Sequence, residues 1–299
     1  SLLMSLMMLS MVVVMISMSL ASIRRISEVL NEKADLGDPE NPVMEVPDGR
    51  IDFNHVNFSY KHGSGEKSLS DIDLHIASGE TIGVIGGTGA GKSTLVNLIC
   101  RLYDVDDGSV CVGGVDVRKY DTEVLRNQVS VVLQKNTLFS GTILDNLRWG
   151  NPDATDEECV AACRAACADE SMDRMPGGYH TMIQRGGSNV SGGQKQRLCI
   201  ARALLKKPRV LILDDSTSAV DTATDAKIRA AFAEQIPGTT KIIIAQRISS
   251  VQSADRILVL DDGRIDAFDT HENLLENNAI YQEIYHSQME GGGDFDHPA

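Results

Sequence analysis

The segment of this sequence with the clearest chemical capacity is rich in glycine. It reads Gly86-Gly87-Thr88-Gly89-Ala90-Gly91-Lys92-Ser93. The spacing of Gly86, Gly91, Lys92 and Ser93 is that of a phosphate-binding loop. Glycines let backbone N–H groups curl around a phosphate, Lys92 supplies a point charge, and the Ser93 hydroxyl can ligate Mg²⁺. The alternative is a Gly-rich turn that merely joins a strand to a helix.

A phosphate loop of this kind needs a second, acidic anchor for its metal ion. Asp214 comes directly after the apolar run Val210–Leu213, and this pattern predicts a buried strand that ends in a carboxylate. The alternative is that Asp214 caps the helix that follows. Together with the glycine-rich segment, Asp214 predicts a site for a nucleotide and Mg²⁺.

A third polar segment stands at the start of a predicted helix and reads Ser191-Gly192-Gly193-Gln194. The pattern Ser-x-x-Gln is a capping box, which satisfies backbone N–H groups at a helix start. Two glycines at that position also leave exposed N–H groups that can meet a phosphate from another subunit. The two roles are compatible.

The elements around these segments indicate an α/β fold. A strand at Thr81–Ile85 precedes the glycine-rich segment, and an apolar helix from Thr94 to Leu102 follows it. Further buried strands are predicted at Val210–Leu213, Lys241–Ala245 and Arg256–Leu260, the last before a hairpin turn at Asp261-Asp262-Gly263. Helices are predicted at 155–169 and 191–206. Strands that alternate with helices predict a parallel sheet, and the alternating residues from Ile51 onward predict an antiparallel subdomain beside it.

The amino terminus differs from the rest of the chain because no charge occurs from Ser1 to Ile23. Such a run is typical of a membrane-spanning helix, and Arg24 and Arg25 follow it as expected on a cytosolic flank. The alternatives are a signal peptide, which would need a basic start, and an amphipathic surface helix. Six of the eleven methionines lie in this run, and we expect them to pack against lipid or neighbouring helices; lining an adaptable ligand cavity is the alternative. The run is interpreted as the end of a larger membrane domain.

Composition sets broad limits on the function. The chain is 42% apolar and 23% charged, which is ordinary for a globular protein. Its net charge of −14 argues against a broad nucleic-acid-binding surface. Six cysteines in this length do not make a disulfide scaffold, so a reducing compartment is expected.

Two groups of residues with metal-binding potential receive a plain structural interpretation. Cys159, Cys163 and Cys167 are spaced along one face of a predicted helix among alanines, which favours close packing over soft-metal ligation. Three histidines without a partner pattern are expected on the surface: His62, His75 and His180.

From the three polar segments together, the sequence resembles the nucleotide-binding domain of ABC transporters. The signature of that family is Leu-Ser-Gly-Gly-Gln, and here Val190 stands in for the leucine before Ser191-Gly192-Gly193-Gln194. The likeness continues through Lys195–Ala203 and covers about residues 24–290. It implies a P-loop NTPase fold with a RecA-like parallel core, an antiparallel β subdomain and a helical subdomain, preceded by a transmembrane fragment.

The resemblance also implies roles for single residues. Tyr60 takes the adenine-stacking position, although a lone Tyr on a strand is more often part of a core. Gln134 takes the Q-loop position, which touches Mg²⁺ and the membrane domain. Thr94 joins the loop residues as a nucleotide contact, and Ser218-Ala219-Val220-Asp221 resembles the D-loop, so that Asp221 and the signature would contact ATP bound to a partner. Leu138–Asn146 and Ile280–Tyr285 look like exporter half-transporters.

Two positions depart from the family pattern. Asp215 stands where the hydrolytic glutamate is expected, and Gln246 stands where the switch histidine is expected. A shorter carboxylate reaches less far toward an attacking water, and misplacement of about 1 Å can cost about 100-fold in rate. Glutamine can hydrogen-bond a γ-phosphate but cannot carry a proton. Together they resemble the degenerate-site half of a heterodimeric exporter.

The expected protein is therefore a membrane-bound transport ATPase. Its domains would be the end of a transmembrane helix at 1–30, a linker at 31–48, a cassette at 49–290 with its helical subdomain at about 136–206, and a disordered tail at 291–299. It would use ATP and Mg²⁺ in a multi-pass protein of the cell membrane, with the cassette on the cytoplasmic side. Its partners would be a second half-transporter, lipid and an unknown substrate, but no nucleic acid. The alternatives are a regulatory, nearly non-hydrolytic ATP-binding subunit and a soluble cassette, and the apolar amino terminus argues against the latter.

Overall fold

A computed structural model describes residues 1–61, 67–172, 174–215 and 222–290 of the chain. The chain divides into two compact units, Ser1–Gly37 and Asp38–Ala299. The first unit consists mainly of helix α1 (Leu2–Asn31), whose most apolar 18-residue window has a mean hydropathy of 2.3. By length and composition this helix is able to cross a membrane. It continues past Arg24 and Arg25 and ends where Glu32 becomes extended.

The second unit contains the strands and the remaining helices. The strands are β1 (Ile51–Phe58), β2 (Leu69–Ile76), β3 (Thr81–Gly86), β4 (Asp107–Val112), β5 (Val115–Asp116), β6 (Val129–Val132), β7 (Gly141–Thr142), β8 (Met182–Ile183), β9 (Val210–Asp214), β10 (Thr240–Ile244), β11 (Arg256–Asp261) and β12 (Arg264–Asp269). The helices are α2 (Lys92–Ile99), α3 (Thr122–Gln128), α4 (Ile143–Arg148), α5 (Asp156–Ala165), α6 (Asp169–Met172), α7 (Gly192–Leu204), α8 (Thr222–Gln235), α9 (His271–Asn277) and α10 (Ala279–Glu290).

A six-stranded sheet with the order β12-β11-β3-β10-β9-β6 forms the centre of this unit. All neighbours pair in parallel except β11 and β12, which form the predicted hairpin. Asp262 and Gly263 turn this hairpin with φ angles of 42° and 71°, which is the left-handed geometry of a tight two-residue turn. The predicted parallel sheet is confirmed.

Alternate residues of the central strands enter two different hydrophobic cores. In β9, Leu211 and Leu213 join one cluster while Val210 and Ile212 join the other, because successive side chains point to opposite faces of a sheet. The first cluster includes side chains of α4, α5, α7 and α8, and the second includes those of α2 and of the antiparallel strands. Burial on both faces explains why these strands read as continuous apolar runs.

The antiparallel subdomain that the alternating residues predicted is also present. Its sheet has the order β2-β1-β4-β5, and every neighbouring pair is antiparallel. In β2, Leu69, Ile72, Leu74 and Ile76 are buried while the residues between them are more exposed. One face of this sheet therefore closes the core around α2.

Three predicted helices are present, but their observed ends differ from the predicted ones. The helix predicted from Thr94 to Leu102 runs from Lys92 to Ile99, because Gly91 serves as its N-cap. The helix predicted at 191–206 is Gly192–Leu204, since Ser191 is its cap. The helix predicted at 155–169 ends at Ala165, and Cys167 lies beyond it with a φ of 52°.

This early end separates Cys167 from the helix face that the sequence predicted. Cys159 and Cys163 lie on α5 and are fully buried, as close packing requires, and burial raises the pKa of Cys163 to about 12. His75 and His180 are exposed as predicted, whereas His62 lies outside the described residues. The predicted tail at 291–299 also lies outside them.

Candidate functional site

The site begins at the carboxyl edge of the central sheet, where four parallel strands end side by side. Strand β3 leads into the glycine-rich loop, β9 ends in Asp214, and β10 and β6 lead to Gln246 and Gln134. The strand register places Ile244 opposite both Val84 and Asp214. Ligands bind at this edge of open α/β sheets because loops and helix starts collect there.

The glycine-rich loop curls between β3 and α2 in a form that only glycine adopts easily. Gly89 and Gly91 have φ angles of 86° and 99°, in the left-handed region. Gly91 is also the N-cap of α2, and a Cβ atom on it would lie 2.6 Å from Leu69 Cδ2. Lys92 and Ser93 consequently form the first turn of α2, where N–H groups and the helix dipole favour an anion.

Lys92 turns back over the loop that precedes it. Its Nζ donates hydrogen bonds to the carbonyl oxygens of Gly86 at 2.6 Å and Gly87 at 2.7 Å. Burial lowers the pKa of this ammonium, while the nearby carboxylates of Asp214 and Asp215 raise it. A phosphate anion at the loop would add a further negative partner and favour the charged lysine.

The two consecutive carboxylates have pKa values above their ordinary range. Burial raises the pKa of Asp214, and Lys92 opposes that effect. Burial also raises the pKa of Asp215, to which repulsion from Asp214 contributes further. Asp215 has a left-handed φ of 45°, and its N–H donates to the carbonyl of Ile244 at 2.8 Å. A cation near both groups would relieve this unfavourable charge.

Two glutamines converge on the same carboxylate oxygen. Gln134 Nε2 donates to Asp215 Oδ2 at 3.0 Å, and Gln246 Nε2 approaches the same atom at 3.3 Å. Three separate sequence positions thus form one amide–carboxylate–amide group. The structure brings together the residues that the sequence marked as the water-activating and switch positions.

The donor set at this edge fits Mg²⁺. The exposed Ser93 hydroxyl, the Asp214 carboxylate and the amide oxygen of Gln134 are the hard oxygen ligands that this ion prefers. In the part of the chain that the structure describes, no group of three or more His, Cys, Asp or Glu side chains is suited to a metal ion. Mg²⁺ here would therefore be held by these few oxygens together with nucleotide phosphates, which is its usual mode.

Tyr60 lies close to the phosphate-loop helix. Its hydroxyl donates to Thr94 Oγ1 at 3.3 Å and accepts from Asn97 Nδ2 at 3.1 Å. Its ring meets those of Phe58 and Tyr103 edge-on, with centroids 4.9 Å and 5.0 Å apart. Tyr60 is 46% exposed, so it is not the core residue of the alternative interpretation, and it offers an aromatic surface near the loop.

The signature segment forms the capping box that the sequence predicted. Ser191 Oγ accepts from the Gln194 N–H at 3.3 Å, and Gln194 Oε1 accepts from the Ser191 N–H at 2.9 Å. Ser191 and Gly192 are exposed at the start of α7. Among the described residues, no hydrogen bond connects this segment to the glycine-rich loop of the same chain. Asp221 lies outside the described residues.

Sequence reasoning missed two residues that support Tyr60. Asn97 follows Thr94 by three positions on α2, and this spacing could have shown that both reach one point beside the helix. Tyr103 gave no comparable signal, because its contact with Tyr60 depends on how the chain turns after α2. The ring orientation at the site is thus set by packing.

The fold and the loop geometry define a P-loop nucleotide-binding domain, and its relatives specify the family. A sequence profile described as ABC transporter matches residues 69–218. An uncharacterised ABC transporter ATP-binding protein of Bacillus subtilis is 38% identical over 273 residues, which cover 91% of this chain and 45% of that protein. A fatty acid ABC transporter ATP-binding/permease protein of Mycobacterium bovis is 40% identical over 264 residues, or 88% of this chain and 41% of that protein.

A solved structure extends the likeness to three dimensions. The structure of a bacterial Atm1-family ABC exporter with ATP bound aligns with a TM-score of 0.86 at 32% identity, covering 96% of this chain and 50% of that one. This chain therefore belongs to the ABC transporter family. It spans about half the length of the relatives it matches, and it carries their ATP-binding domain.

Proposed function

We propose that this chain is the ATP-binding and ATP-hydrolysing part of an ABC exporter, which couples MgATP at a pair of cassettes to substrate export across a membrane. The observation that carries the proposal is the convergence of the phosphate loop, Asp214, Asp215, Gln134 and Gln246 on one sheet edge. The apolar helix α1 and the likeness to an ATP-bound exporter support the membrane-bound setting.

Within this proposal the residues have separate tasks. Lys92 and the loop amides hold the phosphates, Ser93, Asp214 and Gln134 hold Mg²⁺, and Tyr60 stacks on adenine. Asp215 and Gln246 orient the attacking water and the γ-phosphate. Held by these oxygens, Mg²⁺ would supply electrostatic stabilisation of the negative charge on the phosphates. The exposed start of α7 supports a role for Ser191–Gln194 toward ATP held by a second cassette. We propose the same role for Asp221 from the resemblance of its segment to the D-loop.

The alternative function is a regulatory subunit that binds ATP and hardly hydrolyses it. The contact of both glutamine amides with Asp215 Oδ2 favours this version. Both amides occupy Asp215 Oδ2, an oxygen that could otherwise accept a hydrogen bond from the attacking water. On this version the chain's own site is slow, and its signature completes a faster site on a partner with Glu and His.

The unequal-site proposal is tested on the membrane-reconstituted pair of half-transporters. Ser191→Ala should abolish most of the ATPase activity of the pair, because this serine serves the partner's ATP. Asp215→Asn should have little effect, because the site it belongs to contributes little turnover. Thr155→Ala provides a matched control, since Thr155 is the N-cap of α5 and also forms a capping box. The reverse ranking, or full transport by a homodimer of this chain, would reject unequal sites.

A further inference from the structure

A glutamine near the end of α10 holds the backbone that carries Gln246. Gln288 Nε2 donates to the Gln246 carbonyl oxygen at 2.7 Å, and Gln288 Oε1 accepts from the Ile248 N–H at 2.9 Å. Both ends of one planar amide thus engage backbone groups two residues apart. These residues lie just beyond β10, where the ladder of the central sheet no longer holds the chain.

The helix that supplies Gln288 is itself anchored. Tyr281 of α10 is fully buried, and its hydroxyl lies 2.6 Å from Nδ1 of His271 on α9. The Tyr281 N–H donates to Asn278 Oδ1 at 2.7 Å. A planar amide on an anchored helix restricts the peptide it binds in both position and orientation.

The held peptide leads directly to the site. Gln246 has an exposed side chain whose Nε2 approaches Asp215 Oδ2, whereas Ile248 is 2% exposed and packs into the core. One end of the short segment is therefore fixed by burial. The other end bears the functional amide, and Gln288 bridges the two.

We infer that Gln288 is a positioning residue for the ATP site, which acts by fixing the backbone from which Gln246 reaches the γ-phosphate. This inference rests on the proposed function, in which Gln246 donates to that phosphate. Without Gln288, the 246–248 backbone can take more conformations, and ordering it on binding costs entropy. ADP has no γ-phosphate, so its affinity does not depend on this amide.

The test compares nucleotide preference in the full chain held in detergent. Gln288→Met keeps the length of the side chain and removes both hydrogen-bonding groups. Titration calorimetry with Mg²⁺ and the non-hydrolysable imido analogue of ATP should show affinity reduced about fivefold. Affinity for MgADP should stay unchanged. The ratio of the affinity for the ATP analogue to the affinity for MgADP should therefore fall about fivefold. A purely structural defect would weaken both nucleotides together.

Gln282→Met is the matched control, because Gln282 is on the same helix and its Nε2 donates to the Leu275 carbonyl at 2.8 Å, away from Gln246. Its nucleotide ratio should equal that of the unchanged chain. Hydrogen exchange should also show faster exchange of the Ile248 amide in Gln288→Met only. This second measurement needs no nucleotide.

Two results would overturn the positioning role while leaving the proposed function intact. One is an unchanged ratio in Gln288→Met even though the Ile248 amide exchanges faster. The other is an equal fall of the ratio in both variants. If the unchanged chain binds neither nucleotide, the proposed function itself fails, and the inference fails with it.

Discussion

Two parts of the same site differ in what they can do, although they lie at one sheet edge. The loop after β3 has its glycines, Lys92 and Ser93 in the arrangement that phosphate binding requires. The residues after β9 and β10 include Asp215 and Gln246. The side chain of Asp215 is one methylene shorter than that of glutamate, and the amide of Gln246 is neutral. Binding phosphate needs fixed charge and N–H groups, whereas activating water needs a carboxylate at the right distance.

On the proposed function, phosphate binding and water activation reside in different residues. Lys92 and the loop glycines act through charge and backbone shape, and the sheet and α2 hold them in place. In the proposed function Asp215 acts through the reach of its carboxylate, which a difference of one methylene alters. A chain can therefore retain nucleotide binding while its hydrolysis changes.

The largest expected effect comes from restoring reach and proton-carrying capacity together. Asp215→Glu combined with Gln246→His should raise the single-turnover rate of ATP hydrolysis at this site by about 100-fold, the scale of a 1 Å correction. Rapid-quench measurements on the reconstituted pair give this rate. If the double change gives no increase in the single-turnover rate, the residues after β9 and β10 are not limiting hydrolysis. The proposed difference between them and the phosphate loop would then be wrong.

The next effect concerns the phosphate side. Lys92→Ala should weaken MgATP binding by about 30-fold, the scale of one lost charge-assisted hydrogen bond, as measured by calorimetry. Lys207→Ala is the control, because Lys207 is an exposed lysine that pairs with Glu158. Equal affinity in both variants would contradict the role of the loop.

A smaller effect is expected at the aromatic edge of the site. Tyr60→Leu should weaken MgATP and MgADP equally, by about fivefold, because stacking on adenine is lost and both nucleotides carry the base. Tyr60→Phe keeps the ring and removes only the hydroxyl contacts with Thr94 and Asn97. It should retain most of the affinity, and a loss as large as that of the leucine variant would exclude stacking.

The smallest effect is on stability and has a defined pH dependence. Burial and Asp214 raise the pKa of Asp215, so its ionised form destabilises the folded nucleotide-free chain. That cost is present above the raised folded pKa and disappears as the pH falls below the unfolded value of 3.8. At pH 7 the Asp215→Asn variant should therefore have a free energy of unfolding up to about 1 kcal/mol higher than that of the unchanged chain. The measurement is the midpoint denaturant concentration of unfolding, which should rise.

Measuring the unfolding of Asp215→Asn at several pH values separates the effect of charge on stability from the effect of backbone conformation. Asparagine also tolerates the left-handed φ of 45° at this position better than most residues, and that gain does not depend on pH. The part of the stability gain that shrinks on acidification toward pH 4 belongs to the carboxylate. A gain that stays constant with pH would show that Asp215 carries no electrostatic cost.

The sequence by itself determined the elements whose signals are local. Glycine spacing before Lys92, the apolar run before Asp214 and the uncharged run from Ser1 to Ile23 each encode a complete feature within a few neighbouring residues. The parallel sheet followed because buried strands alternate with helices. Boundaries such as the end of α5 at Ala165 were less predictable, because the left-handed turn at Cys167 has no strong local signal.

Only the tertiary structure decided which distant polar groups meet. Gln134 and Gln246 reach one oxygen of Asp215 because β6, β9 and β10 are neighbours in the sheet, an order that does not follow the sequence. Gln288 meets the backbone at Gln246 across 42 positions of chain. Such contacts depend on strand order and helix packing, and neither of these can be predicted from the types of the side chains alone.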